Sequence, residues 1–245
     1  MDIMHISKPQ GKTADDLVYL WQQAFGDSEE YIRSFMDASF YRGCVVMESD
    51  DRVVAAVHLT CPTDDDRFVY GYAVATLKGY QGKGICRMLH ESIFAACREK
   101  YATYAVHPAN VSLVSFYEKL GMKISTYRYF SNVEGDGGKY TFISPREYCE
   151  MRRMFLGEIN EDWLKAGEYT LLGFDIDGMW CAAAVSVGTV WEIIAPPQLE
   201  GAAAKRAAAY FTKARLSVLC DTPIASECAV MTYNGTSDNF ALYVE

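Results

Sequence analysis

The sequence is poor in the features that announce several common classes of protein. Its 23 lysines and arginines are outnumbered by 32 aspartates and glutamates, a formal charge of −9. A nucleic-acid partner needs a basic face to neutralise phosphates, so this balance argues against one. It fits a basic amine as partner, though acidity alone carries little weight. No apolar run approaches the roughly 20 residues that cross a bilayer, so no membrane partner is expected. Met1-Asp2-Ile3-Met4-His5 has neither the basic start nor the apolar stretch of a secretory signal, and a cytoplasmic location is the expectation. The eight cysteines form no C-x-x-C pair, which removes the usual spacing of a structural zinc site. Cys44, Cys86, Cys97, Cys181 and Cys220 sit within apolar patterns, as small hydrophobes do.

What is present is a globular composition. Half of the 245 residues are apolar and 13% are aromatic, enough for one large core or two small ones. The chain is organised around Ala75-Thr76-Leu77-Lys78-Gly79-Tyr80-Gln81-Gly82-Lys83-Gly84-Ile85-Cys86. Phe68–Val74 before it is rich in β-formers and reads as a strand. After it, Ile85, Met88, Leu89, Ile93 and Ala96 recur at helical spacing through Lys100. A glycine-rich turn between strand and helix offers bare N–H groups and the positive end of a helix dipole to an anion. Gly82 and Gly84 let backbone approach a phosphate, and Lys83 adds charge. A diphosphate is the natural ligand. The turn lacks the Lys-Ser/Thr ending of a P-loop and the third glycine of a dinucleotide fingerprint.

Gln81-Gly82-Lys83-Gly84-Ile85-Cys86 resembles the Q/R-x-x-G-x-G/A signature of the GNAT N-acetyltransferases, with Cys86 where that family prefers glycine or alanine. A second stretch agrees. Tyr101–Val106 reads as a strand ended by His107-Pro108, and Val111, Val114, Phe116 and Tyr117 mark a short amphipathic helix closed by Gly121. Asn110 with Phe116-Tyr117-Glu118-Lys119-Leu120-Gly121-Met122 is similar to the family's second signature. The resemblance implies a mixed α/β GNAT fold, a central twisted sheet flanked by helices, and acetyl-CoA as co-substrate. It implies that Ala75, Thr76, Leu77, Gln81, Gly82, Lys83, Gly84, Ile85, Cys86, Asn110, Phe116 and Tyr117 bind it. Backbone groups of Ala75, Thr76 and Leu77 would hold the pantetheine arm and polarise the thioester, with Asn110 hydrogen-bonding the cofactor.

The flanking chain fits that frame. Residues 13–41 read as two helices, the first with a capping start at Thr13 and Asp16 and a face of Leu17, Leu20, Trp21 and Ala24. Gly26-Asp27-Ser28 interrupts them, and Glu29–Met36 resumes. By resemblance Phe25, Glu29, Tyr31 and Phe35 face the acceptor, a small-molecule or peptide amine. Residues 44–48 and 53–60 read as strands joined by a polar turn, with His58 as a core or pocket-wall histidine. The Asp64–Asp66 run reads as a solvated turn, and no metal is expected. Lys123–Phe130 is a further strand. Glu134-Gly135-Asp136-Gly137-Gly138 marks a boundary, giving domains at 1–133 and 139–245.

Beyond it, helices at Pro145–Phe155 and Glu161–Ala166 are followed by strands at 169–176, 179–187 and 189–194, a helix at 199–214, and strands either side of Asn234-Gly235. This repeats the order of the first half, and by resemblance the chain is a tandem GNAT-like protein whose second half is degenerate. Pro196-Pro197-Gln198-Leu199-Glu200 stands where its glycine loop would be; two prolines remove donors and a glutamate opposes phosphate, so no cofactor is expected there.

Transfer from a thioester to an amine needs a neutral amine, donors for the oxyanion and a proton for the thiolate. The resemblance implies direct attack with Tyr117 as general acid, and no nucleophilic role for Cys86. Glu29, Glu48, His58, His107 or a water chain remain candidates for the base. Likeness to the larger Eis-like enzymes implies that the Glu245 carboxylate enters the site. Two other readings stay open: a CoA-binding regulatory protein without turnover, and an aminoacyl-tRNA-dependent transferase. The acceptor and the oligomeric state are left open.

Overall fold

A computed structural model describes residues 2–63, 65, 67–100, 102–220 and 227–235. Packing divides the chain into two compact units, one running to Ser125 and taking back the segment from Val230, the other beginning at Thr126. The expected boundary at 134–138 falls inside the second unit. There Asp136 is held by Arg206 at 2.9 Å and Gly135 N–H bonds Thr212 O, so the glycines serve a packed turn.

In the first unit β1 (Asp2–Ile6), α1 (Gly11–Phe25), α2 (Glu29–Asp37), β2 (Tyr41–Ser49), β3 (Arg52–Thr60), β4 (Phe68–Thr76), α3 (Ile85–Lys100) and β5 (Thr103–Val106) follow in order. A one-turn 3-10 segment (Val111–Leu113) leads into α4 (Val114–Lys119). β6 (Lys123–Glu134) then carries the chain into the second unit, and β12 (Glu227–Tyr233) joins β5 from far along the chain. Strand order is β1-β2-β3-β4-β5-β12, antiparallel except for the parallel β4–β5 pair. Tyr104 of β5 meets His90 and Phe94 of α3, and Gly71 lies against its hydroxyl; Tyr72 meets Trp21 and Phe35. Successive strand residues face opposite ways, so α3 covers one face and α1 with α2 the other. On β12, Tyr233 stacks flat on Phe94 with centroids 3.9 Å apart and bonds Arg98.

The second unit holds β7 (Thr141–Phe142), α5 (Pro145–Phe155), α6 (Glu161–Ala166), β8 (Thr170–Ile176), β9 (Met179–Ser186), β10 (Thr189–Ile194), α7 (Glu200–Ala208) and β11 (Lys213–Cys220). Its order is β6-β11-β10-β9-β8-β7, with β10 and β11 parallel. Ser144 and Glu147 form a full capping box at the start of α5. Ala203, Ala204, Ala207 and Ala208 are buried, their small side chains letting α7 lie close on the sheet.

Several elements depart from expectation. α1 begins at Gly11 after Gln10, so Thr13 lies inside the helix and caps nothing. The helix expected to reach 214 stops at Ala208, and 213–220 is β11. Thr212 takes φ +68, which ends helical winding, and pairing with β6 over eight residues outweighs the alanine-driven propensity. Val111 is exposed, so the amphipathic reading there holds only for Tyr117 and its neighbours. β1 and β7, both edge strands, carried no signal. The strand expected after Gly235, Asp64, Asp66 and the Glu245 carboxylate lie outside the described residues; Asp65 bonds Arg67.

Candidate active site

The parallel β4–β5 ladder ends at Gly71 and Val106, while β4 runs on to Thr76. Between the pairs Ala56–Ala75 and His58–Tyr72 the β3–β4 register shifts, and Ala73 takes φ +45. The bulge turns β4 away from β5 and opens the sheet. Leu77 N–H is given to Val54 O, which makes that pair hydrogen-bonded; the adjacent Thr76–Ala55 pair is then of the other kind. Of the three expected backbone groups, Ala75 and Leu77 therefore point their N–H at β3, and Thr76 points its N–H at the opening. Gln81 Nε2 donates to Thr76 O at 3.0 Å and ties the turn to the strand end.

The turn itself follows a short 3-10 segment, Lys78–Tyr80. Gly82 and Gly84 have φ of +73 and +77, which an L side chain resists, and a Cβ on either would meet nothing within 4 Å. Met88 N–H closes the first helical bond on Gly84 O. Among the described residues none accepts from the N–H groups of Gly82 to Arg87, the usual orphans of a helix start. The Lys83 ammonium lies 4.8 Å over the Tyr80 ring, beside those donors. An open, donor-rich face at the head of the 16-residue α3 fits a diphosphate.

Tyr117 comes to this helix start. It is buried and packs edge-on against His90, 5.5 Å between centroids, and against Phe116. Burial, then the neighbouring Cys86, pushes its hydroxyl above the ordinary phenol range. Ile85 is buried beneath the turn, and burial pushes the Cys86 thiol up to about 11, so it is no thiolate. Asn110 is exposed; its Oδ1 accepts from Ser112 N–H at 3.1 Å and caps the 3-10 turn. His90 and Tyr104 were not anticipated, being indistinguishable in sequence from ordinary core positions. His90 Nδ1 lies 2.8 Å from Cys86 O and must donate to it, so Nε2 accepts from the Tyr104 hydroxyl at 3.3 Å. Burial lowers His90 to about 4.

On the other face the expected acceptor residues separate. Tyr31 and Phe35 join a cluster with Trp21, Tyr41, His58 and Tyr72. Phe25 is 48% exposed and, among the described residues, makes no ring contact. Glu29 is paired outward with Arg33 at 2.7 Å. His58 is buried, shares a hydrogen bond with the Tyr41 hydroxyl at 3.1 Å, and is lowered by burial to about 3, a poor base near neutrality. Trp21, Tyr72 and Asp27 are the residues that sequence reading passed over here; Trp21 was taken only as part of a helix face. Trp21 Nε1 donates to Asp27 Oδ2 at 2.7 Å.

Residues 13–122 match the model of the acetyltransferase (GNAT) family. Over these residues the chain carries the sequence pattern of that family. No curated protein sequence matches the chain. In fold it is similar to a conserved protein of Enterococcus faecalis V583, at 12% identity and TM-score 0.69, over 94% of this chain and 71% of that one. GNAT proteins from Anabaena variabilis (13%, TM-score 0.66, 94% and 72% covered) and Kribbella flavida (16%, 0.63, 94% and 71%) are similar too. At such identities the likeness concerns the fold, and it extends through both units. The glycine turn and Tyr117 lie within the matched GNAT residues.

Proposed function

We propose that the first unit transfers an acetyl group from acetyl-CoA to a primary amine by direct attack, within a tandem GNAT protein whose second unit binds no cofactor. The observation that carries this reading is the β4–β5 opening that runs directly into the turn of unpartnered N–H groups. Those groups and the α3 dipole would hold the diphosphate, Thr76 N–H the arm entering the opening, and Lys83 the phosphate charge. Acetyl-CoA supplies the activated acyl group and a thiolate leaving group. Tyr117, kept protonated by burial, holds the proton that the thiolate needs, and the proton lost by the attacking amine leaves to water. Cys86 stays a thiol and takes no covalent part. The second unit lacks the donor-rich turn, since Pro196 and Pro197 carry no N–H and Glu200 opens α7.

Calorimetric titration of acetyl-CoA into the wild type and into Gly84→Glu tests the reading. Binding that the variant loses supports it, and thiol release with an amine panel then follows the reaction. A wild type that binds no acetyl-CoA ends it; binding without turnover on any amine favours a regulatory CoA-binding protein.

A further inference from the structure

The link between α1 and α2 is three residues long and fixed at both ends. Gly26, at φ +84, caps α1 through its N–H to Gln22 O, and Ser28 Oγ caps α2 by accepting from Tyr31 N–H at 3.1 Å. Asp27 between them is half-buried while both neighbours are exposed. The buried indole of Trp21 takes one of its oxygens, Oδ2; among the described residues Oδ1 has no partner. Burial, then Tyr31 and Tyr70, and last the charge of Asp27 keep the Tyr72 hydroxyl protonated. The indole that holds Asp27 packs against the rings of Tyr31 and Tyr72, with centroids 6.4 and 5.5 Å away, and Tyr72 is the residue at which β4 parts from β5.

The cations that α1 and α2 carry are engaged elsewhere. Lys12 of α1 bonds Asp51, and Arg33 of α2 bonds both Asp15 and Glu29. A carboxylate held by an indole, with one oxygen open at the edge of an aromatic cluster, is suited to a cation with an apolar stem. α3 and its turn lie on the opposite face, so an amine held here meets the opening from the side away from the diphosphate. We infer that Asp27 is the acceptor-binding residue and that the acceptor enters as an alkylammonium, seated between Asp27 Oδ1 and the rings of Tyr31 and Tyr72. For acetyl transfer the bound ammonium must first give a proton to water; that use of the amine rests on the acetyl-transfer reading, and the cation subsite does not.

Hexylammonium and its neutral counterpart 1-hexanol, titrated calorimetrically into the full-length protein, test this, with acetyl-CoA titrated in parallel. Asp27→Asn keeps an acceptor for the Trp21 indole and removes the charge, so a merely structural Asp27 would leave binding unchanged. The expected result is hexylammonium binding that Asp27→Asn weakens tenfold or more and Asp27→Glu partly restores, with hexanol far weaker and acetyl-CoA affinity unaltered. Hexylammonium bound equally by wild type and Asp27→Asn, or not bound at all, overturns the inference, as does hexanol binding as tightly. Asp27-dependent hexylammonium binding without acetyl-CoA binding leaves the cation subsite standing and removes acetyl transfer; the converse result does the reverse.

Discussion

The two units share an order of elements and differ in what they leave open. Each has an edge strand, two helices, three antiparallel strands, a 3-10 turn, a helix and a strand parallel to the one before the turn. Each has a register shift beside its fourth strand, at Ala56/His58 in one and Val190/Glu192 in the other. In the first unit the turn is glycine-rich and its N–H groups are free to bind; in the second it is proline-rich. Where the first unit has the aromatic cluster and Asp27, the second holds a complete internal ion pair. Arg152 and Glu192 are 2% and 3% exposed and meet at 2.9 Å. Tyr148 donates to Glu192 at 2.8 Å, and Arg152 also bonds Gly157 O and Glu158 O. Among the described residues, one unit leaves polar groups without protein partners, and the other satisfies them with its own side chains.

The largest effect that would test this contrast is in the second unit. Arg152→Ala leaves Glu192 buried without its counter-charge and should cost about 3–5 kcal/mol in urea unfolding. The double change Arg152→Met with Glu192→Leu should recover most of it. A loss under 1 kcal/mol in the single variant would mean that the network is not what fills this unit. In the first unit, Tyr117→Phe should lower kcat about 100-fold, near 2.7 kcal/mol, with the acetyl-CoA Kd little changed. An unaltered kcat would remove the acid role.

Acid separates the units by another route. His58 and His90, both in the first unit, have folded pKa values near 3 and 4, below the ordinary 6.5. The unfolded chain therefore binds more protons below pH 6.5, and stability falls as pH drops toward 4 by about 1.4 kcal/mol per pH unit for each histidine. Urea unfolding at stepped pH should show this slope, reduced in His90→Gln. The smallest effect is Gly84→Ala, where φ +77 penalises a side chain by about 1 kcal/mol of stability. Gly201→Ala, inside α7 without positive φ, should be neutral or stabilising.

Much of this was legible in the chain because local signals and tertiary demands agreed. The glycine turn, the Phe116-Tyr117 helix, α5 with its proline and the Glu161–Ala166 helix all carry their own caps or spacing. β11 did not read as a strand because Lys213–Cys220 follows an alanine-rich helix with no proline or glycine between them, and only pairing on both sides settles it. Of the residues expected at the acceptor, Tyr31 and Phe35 gather in one aromatic cluster, while Phe25 and Glu29 follow the helix surface outward. Asp27 was passed over because a polar residue between two helices reads as a breaker. Its partner, the Trp21 indole, is six positions away and comes within reach only after both helices pack.

β12 has a consequence for how the molecule is made. Met231, Thr232 and Tyr233 pair with Val106, Ala105 and Tyr104, more than a hundred residues earlier. During synthesis the glycine turn and Tyr117 emerge early, yet β5 keeps a bare edge until residue 233 has left the ribosome. A chain cut at 133 would present that edge to any passing strand. Expression trials of the isolated first half should therefore give aggregates, and supplying the β12 segment in trans should restore solubility.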